Sequence, residues 1–145
     1  MRNFSTVLLA TALLGGCVQA QSPSAVPAMA PVMASAPRMA AISDSEPDVT
    51  AQVSNLLAQA GASALPREQL SSNAQNALDA PATAQMAAAL RPCGTAPALE
   101  LLSRTTKGED RNYLYRAPCN GKPLLVEITF GKGARVNHLL VRQER

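Results

Sequence analysis

The spacing of apolar positions changes three times along this chain, and each change marks a different kind of segment. Residues 7–14, Val7-Leu8-Leu9-Ala10-Thr11-Ala12-Leu13-Leu14, form a nearly unbroken apolar run behind a short basic start at Arg2. Its length suits the hydrophobic stretch of an export signal and falls short of the roughly 20 apolar residues needed to span a bilayer. Residues 18–44 then show no periodicity: Ala, Pro, Ser, Met and Val are mixed, and five of the eleven prolines lie between Pro23 and Pro47. Such a tract offers too little large apolar surface to offset the entropy of ordering it, so it predicts a disordered, partly polyproline tether. About 25 residues at about 3.3–3.6 Å each reach several nanometres at most.

A helical period begins at Ser45. Ser45-Glu46-Pro47-Asp48 offers an N-cap with an acidic residue three places on, and Val49, Val53, Leu56, Leu57 and Ala60 then share one face up to Gly61. Pro66 suits the first turn of a second helix through Leu78, with Leu70, Ala74, Ala77 and Leu78 as a thin apolar stripe. A third helix starts at Ala80-Pro81, is anchored by Met86, Ala89 and Leu90, and stops before Pro92 and Gly94.

The last third alternates with a period of two. Residues 98–102 read equally as a strand or as one helical turn after Pro97. Residues 112–117 alternate, with Tyr113 and Tyr115 on one face, and Asn120-Gly121 gives the strongest short hairpin signal in the chain. In residues 124–130, Leu124, Val126, Ile128 and Phe130 share a face while Glu127 and Thr129 point away. Gly131-Lys132-Gly133 turns the chain into a final strand at residues 136–142. The expected fold is α+β: short N-terminal helices packed on a three- to four-stranded antiparallel meander. The expected organisation is a signal at 1–17, a linker at 18–44 and a folded domain at 45–145.

Composition sharpens this picture. Of 145 residues, 47% are hydrophobic, yet 27 are alanine and only Phe4, Tyr113, Tyr115 and Phe130 are aromatic, so the core is thin. Residues 18–90 hold two basic and five acidic side chains, whereas 91–145 hold ten and five, so the net charge of +3 belongs to the C-terminal part.

Directly after the apolar run, Leu14-Gly15-Gly16-Cys17 resembles the lipobox of bacterial lipoproteins. The resemblance implies that Cys17 is acylated on sulfur, becomes the mature N-terminus, and carries a diacylglyceryl group and an N-acyl chain. At about 0.8 kcal/mol per buried methylene, several chains give a stable hold on a membrane. Val18 stands where an aspartate would signal inner-membrane retention, which implies an outer-membrane anchor facing the periplasm. An ordinary signal cut after Val18-Gln19-Ala20, giving a secreted or soluble periplasmic protein, also fits the small-residue rule.

Three cysteines in an exported chain ask for an explanation. Lipidation of Cys17 leaves Cys93 and Cys119, which are then available for one disulfide in an oxidising compartment; two free buried thiols or a reactive thiol are the other readings. No C-x-x-C is present.

Residues 90–141 follow the order of the latter half of the nuclear-transport-factor-two-like cone fold. The features that carry the likeness are Leu90 with Gly94, the run 98–104, Tyr113-Leu114-Tyr115-Arg116, the strand 124–130 and the glycine turn into the last strand. The resemblance implies a strand at residues 98–102 and helices packed into a curved sheet. No catalytic position of that superfamily is matched.

The chemistry-bearing residues are few. Phosphate-binding glycine loops, G-x-S-x-G and H-E-x-x-H are missing from the sequence, and no cofactor is expected. No metal site is expected either: His138 is the only histidine, and Met29, Met33 and Met39 are irregularly spaced. A general base, if there is one, is His138 with Glu127 across the hairpin, in a pocket shared with Tyr113 and Tyr115. Arg104, Lys107, Arg111, Arg116, Lys132, Arg135 and Arg142, with Lys122 and Arg145 nearby, form a candidate surface for an anionic lipid or glycan. Nucleic acid is an improbable partner for an exported protein. The expectation is a non-enzymatic, membrane-anchored envelope lipoprotein whose domain binds a partner protein or an anionic envelope component. The alternative is a cone that binds or converts a small ligand.

Overall fold

A computed structural model describes residues 38–120 and 122–145. The expected export signal, Cys17 and the expected linker as far as residue 37 lie outside the described residues.

The first helix, α1 (Pro47–Gly61), buries Val53, Leu56, Leu57 and Ala60, with Val49 packed at the margin. Its N-cap is Glu46 rather than Ser45, and no side chain caps it. The expected Ser45 cap fails because its hydroxyl and the neighbouring Glu46 carboxylate are both drawn to the sheet: the Arg104 guanidinium donates to Ser45 Oγ and Glu46 Oε2, and the Tyr113 hydroxyl donates to Glu46 Oε2.

The expected second helix is broken. A 3-10 turn (Arg67–Gln69) is followed by an extended Leu70 (φ −94°, ψ 142°), which forms an isolated parallel bridge to Val136. Only then does α2 (Ser72–Ala77) begin, capped by Ser71, whose Oγ accepts from Ala74 N–H at 3.3 Å. Extending Leu70 lets its side chain reach the core, where it is buried, and frees Ser71 to cap. The third helix, α3 (Ala80–Leu90), is capped by Asp79 Oδ1 and runs on into a 3-10 turn (Arg91–Cys93) ending at Gly94, whose φ of 77° suits glycine.

Four antiparallel strands follow: β1 (Glu100–Lys107), β2 (Asp110–Ala117), β3 (Leu124–Phe130) and β4 (Val136–Gln143), in the spatial order of the chain. The ambiguous run at 98–102 thus feeds a strand. Gly108, at a left-handed φ of 63°, turns β1 into β2 through two residues, since Lys107 faces Asp110. The two-residue hairpin expected at Asn120-Gly121 is not formed: β2 ends at Ala117 and β3 begins at Leu124. Gly121 lies outside the described residues, and Lys122 N–H donates to Cys119 O where Pro118 and Pro123 lack the N–H that would continue the ladder.

Register sorts the two faces. Tyr113, Tyr115, Val126, Ile128, Phe130, Val136 and Leu139 pack against the helices. The rungs Ser103–Leu114–Glu127–Leu140 and Thr105–Asn112–Thr129–His138 lie on the opposite face. Residues 38–44, read from sequence as the end of the linker, touch the sheet without forming a strand: Ile42 N–H donates to Leu101 O and Met39 O accepts from Arg116. The Cys93 and Cys119 sulfurs lie at disulfide distance, with Cα atoms 4.4 Å apart, tying the end of the helical layer to the end of β2.

Candidate functional site

The candidate basic residues do not form one surface. Arg104 is bound to Glu46 at 2.7 Å, and Arg111 stands 3.9 Å from the same carboxylate with its guanidinium 6.0 Å from the centre of the Phe130 ring. Tyr113 is the strongest cause of the Glu46 carboxyl being held below the usual carboxylate range; burial opposes it, and Arg104 and Arg111 add to the lowering. On the opposite face, Arg116 makes a forked contact with Glu144 (2.7 Å) and reaches Glu100 (3.3 Å) and Met39 O. That fork lowers the Glu144 carboxyl and raises the Arg116 guanidinium. Arg142 pairs with Glu127 at 2.7 Å. Among the described residues, no carboxylate lies within 4 Å of Lys107, Lys132 or Arg135. These three sit at one end of the meander, where the β1–β2 and β3–β4 turns lie side by side.

Of the four residues proposed for a ligand pocket, Tyr113, Glu127 and His138 border one groove and Tyr115 does not. Tyr115 is fully buried, and its hydroxyl is 3.1 Å from Thr50 Oγ1 on α1. Tyr113 is buried beside it, the two rings stacked at 6.0 Å, with Phe130 edge-on to Tyr113. Burial pushes both phenols above their ordinary value, Tyr113 further through the adjoining Glu46 carboxylate. Glu127 and His138 are on the far side of the sheet, because the β3–β4 pairing places Glu127 opposite Leu140 and Thr129 opposite His138. Tyr113, Glu127 and His138 all border a groove of about 280 Å³ on that face, together with Met39 and Thr129. Tyr113 contributes there along its backbone, since its ring is in the core on the other side. The strand period of two therefore leaves Glu127 and His138 on one face and turns the two tyrosine rings to the other.

A second groove, of about 330 Å³, runs along the outer side of β4. Residues 137–141 form one wall, and Ala74, Ala77, Leu78, Ala82 and Met86 of the helical layer form the other. β4 is an edge strand, so half of its backbone N–H and C=O groups point out of the sheet. Ser71 N–H takes Val136 O at the start of the strand; among the described residues no other backbone group from outside the sheet bonds to β4. Leu140, beside this edge, is 41% exposed. Sequence reasoning named His138 and Arg142 on β4 but missed the edge as a site. Its signal was a last strand with an apolar run, Leu139-Leu140-Val141, and no proline.

Among the described residues, no group of three His, Cys, Asp or Glu side chains is placed to hold a metal ion, and no helix is long and apolar enough to cross a membrane. Comparison with known proteins gives no match to any protein family, curated protein or solved structure.

Proposed function

We propose that this chain is a non-enzymatic lipoprotein of a bacterial envelope. Cys17 carries the lipid, residues 18–37 hold the folded unit off the outer membrane on its periplasmic side, and that unit binds a partner protein. The observation that carries the reading is the closed, helix-covered side of the sheet. Tyr113 and Tyr115 are committed there to Glu46 and Thr50, and the core fills the space a ligand cone requires. A transport-factor-like catalytic reading needs Tyr115 and His138 in one cavity, and the sheet stands between them. What the fold leaves accessible suits recognition: one strand edge with an apolar groove, and one uncovered face. An anionic envelope component is a second reading, favoured by Lys107, Lys132 and Arg135 at one end of the sheet without carboxylates beside them.

Intact mass of the protein purified from bacterial membranes tests the anchor. The expected species begins at Cys17 and carries diacylglyceryl and N-acyl groups; an unmodified N-terminus at Gln21 overturns it. Sedimentation with vesicles containing anionic lipid separates the two binding readings. Retention that falls severalfold in a Lys107→Glu, Lys132→Glu variant supports the anionic one, and absence of retention supports a protein partner.

A further inference from the structure

The two edges of the sheet are built differently. The edge at β1 carries Arg104 and Lys107, and residues 38–44 run beside it, with Ile42 N–H donating to Leu101 O. Charge and cover of this kind keep an edge from pairing with another chain. The edge at β4 has neither over its middle. From Asn137 to Val141 it holds no charged residue and no proline, and among the described residues the only backbone group that bonds to it from outside the sheet is Ser71 N–H, at Val136. That bond and the irregularity opposite Thr129 close the start of the strand, and β4 ends at Gln143, so the open stretch is short and bounded, from His138 to Arg142.

This stretch is self-complementary. Turned antiparallel on a second copy about Leu140, it sets Leu140 against Leu140, Leu139 against Val141 and His138 against Arg142. Opposed residues of an antiparallel pair share a face. Leu139 and Val141, which pair with Ile128 and Val126, therefore stay on the helical side, and Leu140, 41% exposed, meets its own copy on the uncovered face. Centred on Leu139 or on Val141, the same pairing would set the exposed leucine against His138 or Arg142 instead. Charge agrees with the first register. Arg142 is the one Lys, Arg, Asp or Glu of the stretch, and Glu127 already holds it at 2.7 Å, so two copies meet without an unpaired charge. On the helical side, the wall beside β4 is largely Ala74, Ala77 and Ala82, which lets a second helical layer come close. A two-fold pairing also uses the edge up in one closed step, whereas an apolar edge left unguarded invites open-ended association.

We propose that two copies of this chain join through β4, centred on Leu140, so that their four-stranded sheets form one continuous sheet with both helical layers on the same side. The inference rests on the partner-protein reading and names the partner that takes this edge.

The test is cysteine crosslinking of the full chain in intact bacteria with a mild oxidant, read on non-reducing gels. Leu140→Cys sets two sulfurs across the two-fold, where facing Cα atoms are about 4.5–5.5 Å apart and within disulfide reach. His138→Cys and Arg142→Cys each stand about 13 Å from their own copies, four residues along the strand at about 3.3 Å each. Leu140→Cys is expected to give about tenfold more dimer than either of these alone, and coexpressing His138→Cys with Arg142→Cys is expected to restore it. Absence of dimer from Leu140→Cys, or equal dimer from all three single variants, overturns the proposal. Sedimentation of the unsubstituted chain in detergent needs no variant: a dimer is expected, and a chain that stays monomeric overturns the proposal. A crosslink from Leu140→Cys to a chain of another mass also overturns it, and leaves the partner-protein reading standing. An unmodified N-terminus at Gln21 would sink the lipid anchor and leave this test intact, because β4 is the same in either mature form.

Discussion

The most demanding consequence of the thin core concerns the Cys93–Cys119 link. Reducing it should lower stability by an amount set by the segment it closes, 26 residues in sequence separation. Loop-closure entropy for a ring of that size amounts to about 3.5 kcal/mol at 25 °C. A domain of about a hundred residues has a total stability of about 5–15 kcal/mol, so the link carries a quarter or more of it. Its placement raises the stakes. α3 offers the core only Met86, Ala87 and Leu90, and the link fastens the turn just beyond that helix to the end of β2. The assay is urea unfolding of the oxidised protein, the thiol-reduced protein and a Cys93→Ala, Cys119→Ala variant; alanine avoids placing a hydroxyl at the buried Cys119. With a urea slope of about 1.5–2 kcal/mol/M, the midpoint should fall by about 2 M on reduction. The double variant should fall as far and then ignore reductant. A reduced protein unfolding within about 0.3 M of the oxidised one would refute the reasoning, since it would mean that the helices hold the sheet without the brace.

Three further outcomes are expected. Glu46 and Glu144 both have carboxyls held below their ordinary value in the folded state, so the unfolded chain binds more protons on the acid side. Their contribution is complete above about pH 4.3 and lost as pH falls through the folded values; Glu46→Gln should flatten the acid limb of urea midpoints measured from pH 3 to 7. Tyr115→Phe removes the hydroxyl contact to Thr50 from a fully buried position and should cost about 1 kcal/mol in the same unfolding assay. Gly131→Ala should destabilise by about 1–3 kcal/mol in thermal unfolding, because a Cβ there overlaps the Asn137 amide, which donates to Asp110 across the end of the sheet.

The elements legible in the sequence were those whose period comes from large side chains. Val53, Leu56 and Leu57 mark α1, and Leu124, Val126, Ile128 and Phe130 mark β3; both are buried as their spacing requires. The second helix was misread because Leu70, Ala74, Ala77 and Leu78 fit a helical stripe, while the bridge from Leu70 to Val136 is a contact 66 positions away in sequence. Ser71 was the available signal, a cap residue directly after that leucine. β1 was ambiguous over residues 98–102 because a short apolar run has no period of its own. Thr105-Thr106 ahead of Gly108 was the stronger clue, with β-branched residues leading into a glycine turn.

The proposed pocket set was split for a different reason: residue type was weighed there without face. Tyr113 and Tyr115 share parity with Ile128 and Val126 across β2 and β3, and those residues were already assigned to the core. Placing the tyrosines in the core obliges their hydroxyls to find partners, and the partners lie on or just before α1, 65 and 67 positions away in sequence. The role of Glu46 was missed for the same reason, since nothing local marks a carboxylate that will receive Tyr113 and Arg104. With so few aromatics, the fold uses both tyrosines to hold the start of α1 against the sheet. The surfaces this leaves accessible among the described residues need no large side chain: a backbone edge at β4 and the polar face around Asn112 and Thr129.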